Sequence, residues 1–189
     1  VRPNGEAEVI EVATGRVAAT LKIDDKNLES DLKPARDAQV FADADRFYLF
    51  LDRDPSLPAT NNTRRVPMYN NTLRTVAVNG PLYAFDRATG RRLWTYGNGL
   101  LENQMLILEQ FAELPVIIAA GPVQRVDNNQ QLYQVVIIEK ARGKLIFEKP
   151  VANNGNFFHN LNVNLKNGTI DLNRFDVRIE IKPDDAPKS

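Results

Sequence analysis

The chain has 189 residues, is 43% hydrophobic and 25% charged, and sets 24 Lys and Arg against 24 Asp and Glu. This is the make-up of a folded domain with a real core, and a formal net charge of zero leaves no global basic field to gather nucleic acid or an anionic membrane. Cysteine is absent, which removes disulfides, thiolate nucleophiles and cysteine–metal centres, and no run approaches the roughly 18 apolar residues of a spanning helix.

The first residue is Val1, and Val1–Glu6 has no basic-then-apolar signal pattern; the expectation is a processed product or a piece of a longer polypeptide. Val9–Val12 and Arg16–Ile23 read as two short strands joined across Ala13-Thr14-Gly15. Asp24–Lys33 is charged and reads as a loop or a short helical turn. Gln39–Phe41 and Phe47–Leu51 form an apolar pair around Asp43-Ala44-Asp45, which predicts a hairpin. Residues 53–71 are rich in proline and asparagine and predict a surface insertion.

Leu73–Val78 and Leu82–Phe85 flank Asn79-Gly80-Pro81, and Asn-Gly between apolar runs predicts a tight hairpin. Leu93–Tyr96 continues the meander beyond Thr89-Gly90. Met105–Leu114 fits either one helical face or a strand, and the β neighbourhood favours strands, Gln104–Leu108 and Val116–Ala119. Leu132–Ile138 and Leu145–Glu148 are strands around Gly143. Asn160–Leu165, Thr169–Leu172 and the alternating Asp176–Ile181 close the chain, with a loose polar tail over 183–189.

Within this order one pattern recurs. Aligned on Gly15, Gly90 and Gly143, each copy has an acid four residues before, alanine two before and a base one after. Two copies have an aromatic four residues after, Trp94 and Phe147; the first has Ala19 there. A repeat of this length sets the architecture before local motifs do. Gly90 suits a chain reversal that needs positive φ, Asp86 can accept the turn's N–H groups and Thr89 can add a hydroxyl. Trp94, the only tryptophan, can bury a large ring while its indole N–H finds a backbone acceptor. Leu82, Ala84 and Asp86 share one face of the incoming strand, and Tyr83 and Phe85 the other.

The full copy, Tyr83-Ala84-Phe85-Asp86-Arg87-Ala88-Thr89-Gly90-Arg91-Arg92-Leu93-Trp94, resembles the repeat of quinoprotein-type (PQQ-like) β-propellers, matching it at Ala84, Asp86, Gly90 and Trp94. The match is partial at Gly143 and faint at Gly15. The wording of Val76–Gly90 and Leu101-Glu102-Asn103-Gln104 also resembles large propeller proteins of planctomycete-like bacteria. The resemblance implies an all-β fold of four-stranded antiparallel blades over residues 1–182, a partial propeller of about three to four blades. It implies that the tryptophan docks between blades.

The family's dehydrogenases bind pyrroloquinoline quinone with calcium or a similar ion. None of the family's metal-binding or catalytic residues maps onto a position here, so no cofactor, metal or catalytic residue is assigned. Asp43, Asp45, Asp52 and Asp54 form the densest acid cluster, yet they lack the glycine and glutamate of a calcium loop and read as a solvated turn. His159, the only histidine, cannot supply a multi-histidine metal site and reads as a packed or surface residue. The expectation is therefore a non-catalytic module in the periplasm or cell envelope that holds a protein or polymer partner, as non-enzymatic members of the family do. Its edges are completed by the rest of a longer chain or by self-association. The runner-up is a fragment of a quinone-dependent dehydrogenase. Residues 53–71 and 153–158 are the first loops at which to look for the partner.

Overall fold

The computed structural model describes residues 1–2, 4–23, 35–53, 68–70, 73–107, 110–122, 132–152, 161–164, 169–172 and 177–180. Strands β1 (Glu6–Ile10) and β2 (Val17–Lys22) form a two-stranded sheet. The large sheet contains β3 (Ala35–Ala42), β4 (Arg46–Arg53), β5 (Met68–Asn70), β6 (Leu73–Asp86), β7 (Arg92–Ile107), β8 (Val116–Pro122), β9 (Leu132–Glu139) and β10 (Leu145–Ala152). Its order is β10-β9-β8-β7-β6-β4-β3, with β5 pairing a further stretch of β6. A third sheet comprises β11 (Leu161–Asn164), β12 (Thr169–Leu172) and β13 (Val177–Glu180). Every strand pairing among the described residues is antiparallel. One four-residue helical turn, α1 (Gln110–Glu113), links β7 to β8. Among the described residues the protein is all-β apart from this turn, and no helix among them is long and apolar enough to cross a membrane.

Strand alternation gives the sheet two buried faces. On β4 and β6, Phe47, Leu49, Leu51, Tyr83 and Phe85 pack against Ala7, Leu21 and Ile23 of the first hairpin. On the opposite side of the same strands, Tyr48, Phe50, Leu82 and Ala84 join Trp94 of β7 and Ile117, Ala119, Val136 and Ile138 of β8 and β9. A β-strand that is buried on both faces reads as a continuous apolar run, which is why Phe47–Leu51 has no polar residue. The first hairpin, the β3–β4–β6–β7 group and the β8–β9–β10 group are thus three layers. The middle one is covered from both sides.

The layers are joined differently from the expectation of separate four-stranded sheets. Leu82–Phe85 pairs with both β4 and the start of β7, whereas Thr75–Val78 pairs with the end of β7. The end of β7 then pairs with β8. Between these halves, the two-residue step from Gly80 to Leu82 on β6 faces the five-residue step from Tyr96 to Leu101 on β7. Such extra residues locally break the ladder and increase twist.

The tight hairpin expected at Asn79-Gly80-Pro81 does not form, because β6 runs through all three residues. The Asn79 N–H donates to Asp52 Oδ1 at 2.6 Å, and Gly80 is buried opposite Leu101. A carboxylate from β4 therefore takes the donor that a two-residue turn would have placed at its own tip. The Met105–Leu114 alternatives divide between them: β7 extends to Ile107, and α1 follows it. Asp24–Lys33, Asp54, residues 54–67 of the expected insertion, Asn153–Phe158, His159 and the 183–189 tail lie outside the described residues.

Candidate functional site

The site that emerges is not a cleft but a set of joints between the repeat turns. The three hairpins have one geometry. The residue six before glycine pairs with the one four after it, as Val9↔Ala19, Ala84↔Trp94 and Ile137↔Phe147. The residue five before pairs with the one two after, as Ile10↔Val17, Phe85↔Arg92 and Ile138↔Leu145. Ala18, Leu93 and Ile146 are the bulged residues. Gly15, Gly90 and Gly143 have φ of 68°, 70° and 67°, in the left-handed region that a Cβ disfavours. Each glycine N–H donates to the carbonyl of the acid four residues earlier, Glu11, Asp86 and Glu139, at 2.8, 2.8 and 2.9 Å.

The side chains reinforce the turn where the motif is complete. Asp86 Oδ1 accepts from the Thr89 N–H at 2.8 Å and from its hydroxyl at 2.7 Å. Those two bonds hold the Asp86 carboxyl below its ordinary range. In the first copy the Thr14 hydroxyl donates to Glu11 Oε2 at 2.6 Å. The third copy has Arg142 in that place, with a guanidinium nitrogen 3.8 Å from Glu139 Oε1.

The second and third turns are each covered by the preceding copy. The Trp94 indole lies across the Gly143 turn: a Cβ built on Gly143 would stand 2.5 Å from two indole carbons. Its Nε1–H donates to the Lys140 carbonyl at 2.8 Å, and the ring is 9% exposed. At the earlier joint, where Ala19 replaces the aromatic, the backbone itself closes in, so that a Cβ on Gly90 would collide with the Thr20 carbonyl. Glycine is required at both turns twice over, once by φ and once by the approach of the neighbouring copy.

Close to Trp94 lies a buried cation, Lys140. Lys140 is 4% exposed, although its neighbours Ala141 and Arg142 are exposed. Its Nζ donates to the carbonyls of Gln110 and Phe111, each at 2.8 Å, and lies 5.7 and 5.6 Å from the centroids of the Tyr48 and Phe111 rings. Burial pulls its pKa down to about 8, against the attraction of Asp43. Asp43 accepts from the Tyr48 hydroxyl at 2.6 Å and from the N–H groups of Asp45 and Arg46 at 2.9 and 2.7 Å. Burial alone would raise Asp43; the Tyr48 bond, the two N–H donors and Lys140 outweigh it and hold the carboxyl low. Burial and Asp43 together push the Tyr48 hydroxyl up.

The arrangement fixes elements in place. Gln110 is 2% exposed and its amide both accepts from Ile118 N–H at 2.6 Å and donates to Ile118 O at 3.1 Å. It substitutes for the next rung of the β7–β8 ladder after β7 departs. Lys140 ties α1 to the Gly143 turn, and Trp94 seals the same turn from the other side. The only signal for Lys140 was its position three residues before the glycine, where Arg87 stands in the second copy and donates to the Asp43 carbonyl at 2.7 Å.

Asp43, Asp52 and Asp86 already accept N–H or O–H donors of the chain, Trp94 is committed to the Gly143 turn, and no group of three potential ligands for a metal lies among the described residues. Asp43 and Asp52, joined in one cluster by the sequence, serve separate places, the β3–β4 turn and the β6 backbone. Among known proteins, no family model matches the chain and no curated protein matches it.

Proposed function

We propose that this chain is a set of PQQ-like propeller blades acting as a non-catalytic binding or scaffolding module in the bacterial cell envelope, with a protein or envelope polymer as its partner. The observation that carries the reading is the serial covering of one glycine turn by the preceding copy, Thr20 over Gly90 and Trp94 over Gly143. Side-by-side layers fastened through equivalent turns are what blade packing requires. Asp86 and Thr89 brace the Gly90 turn itself, while Gly90, Trp94 and Gly143 stand at the contacts between copies. Function then falls to surfaces and loops, since one fold carries many functions and a site must be argued separately.

The test uses the immobilised chain and an extract of bacterial envelope. A discrete component should be retained, and when purified it should rebind with measurable affinity. A parallel sample receives pyrroloquinoline quinone and calcium with a redox dye. Dye reduction, or a rise in melting temperature with the quinone, would replace the binding reading by the dehydrogenase one. No reproducible retention would leave the chain a spacer.

A further inference from the structure

We propose that the chain joins head to tail with a second copy of itself, the Phe147 face of one copy closing over the Gly15 turn of the other. The inference rests on the repeat reading above and names a partner for it. Its basis is a pair of filled joints and, among the described residues, one donor and one receiver left over. Gly90 is covered by Thr20 and Gly143 by Trp94, whereas a Cβ built on Gly15 meets nothing within 4 Å, although the three turns share their φ and hydrogen bonds.

The positions around the turns tell the same story. Five residues before the glycine, Phe85 and Ile138 are both 0% exposed and lie in the cores formed with the preceding layer. Ile10, at the same position of the first copy, is 52% exposed, and Val12 beside it is 98% exposed. The receiving face of the first copy is therefore built like the other two and left bare.

At the other end, Phe147 holds the register position of Trp94, opposite Ile137 as Trp94 is opposite Ala84. Phe147 is partly exposed, and it covers none of the three turns. Leu145 and Ile146 beside it are 38% and 50% exposed. The donor face and the receiver face each carry exposed apolar residues, and the joints already present show how such faces fit. Lys149 Nζ lies 5.9 Å from the Phe147 centroid, and a flexible amine of this kind can swing aside. Phenylalanine has no N–H to repeat the bond from Trp94 to the Lys140 carbonyl, so this joint is looser than the internal one. Because the two surfaces differ, the contact is heterologous and generates a ring or an open filament.

The test is sedimentation velocity of the intact chain from the low micromolar into the hundred-micromolar range. The wild type should self-associate with concentration. Two variants each remove one side of the contact. Gly15→Asn places a side chain in space that is open in the single copy, and asparagine tolerates the left-handed region. Phe147→Ala removes a partly exposed ring. Circular dichroism melts should show both variants folded. Each variant alone should self-associate at least about tenfold more weakly than the wild type. Mixed, they should form a one-to-one heterodimer through the Gly15 turn of Phe147→Ala and the Phe147 of Gly15→Asn.

A wild type that stays monomeric over the whole range overturns the proposal. So do variants that associate as the wild type does, or a mixture that yields no heterodimer. The repeat reading survives such a result if Trp94→Ala still destabilises the fold. It falls separately if that variant leaves stability unchanged.

Discussion

Replacing Trp94 with alanine removes the ring that joins the second hairpin to the third. An indole buries about 200 Å², and at about 25 cal/mol per Å² a ring 9% exposed accounts for roughly 4–5 kcal/mol of transfer energy. That figure is an upper bound against a compact unfolded chain, while the cavity left over Gly143 adds to the loss. The substitution also leaves the Lys140 carbonyl without its donor. Trp94→Ala should therefore cost about 3–5 kcal/mol. Trp94→Phe, which keeps a ring but not the N–H, should cost about 1–2 kcal/mol. Because Trp94 is the only tryptophan, urea unfolding of the variants has to be followed by far-ultraviolet circular dichroism. A loss below about 0.5 kcal/mol for Trp94→Ala would refute the clamp, since surface substitutions have effects of that size.

Lys140 makes stability depend on pH. The folded form releases its proton near pH 8, while the unfolded chain holds it to its ordinary value of 10.5, so between these the unfolded state binds more protons and stability rises with pH. Relative to Lys140→Met, the wild type should gain up to about 1.4 kcal/mol per pH unit between pH 8 and 10; parallel curves for the two proteins would count against a buried amine. Asp52→Ala should cost about 2 kcal/mol by leaving the Asn79 N–H without the Asp52 acceptor and removing one of the two acceptors of the Gln39 amide, which keeps the Ala77 carbonyl. Equal stability by urea titration would show that β6 is not held there. Gly90→Ala should destabilise by more than Gly15→Ala in the same titration, because only the former meets the Thr20 carbonyl. Equal losses would mean that backbone strain alone is at work.

Much of the fold was legible because it rests on short-range rules. The apolar runs on either side of Asp43-Ala44-Asp45 located the β3–β4 hairpin, and the three glycines located three turns that prove to share a register. The two-face reading of β6 placed Leu82 and Ala84 apart from Tyr83 and Phe85, and the two sets lie in different cores. What was misread depends on partners distant in sequence. Asn79-Gly80 carries a strong turn signal, but Asp52 on β4 captures the Asn79 N–H and the strand continues. Lys140 carried no reading of its own, because α1 and Tyr48, which enclose it, arrive from elsewhere in the chain. At the first copy Ala19 stands where the other two have a ring, and the joint over Gly90 is made by the Thr20 backbone instead, a contact that residue type does not signal.

The coupling between Trp94 and Gly143 tests the joint most directly. In the wild-type background, Gly143→Ala must strain the backbone at φ 67° and also displace the indole. In the Trp94→Ala background only the backbone strain of about 1–2 kcal/mol remains. A double-mutant cycle by urea unfolding should therefore give an interaction energy of about 1–3 kcal/mol. Losses that add to within about 0.3 kcal/mol would contradict the claim that one repeat is fastened to the next through this ring and this turn.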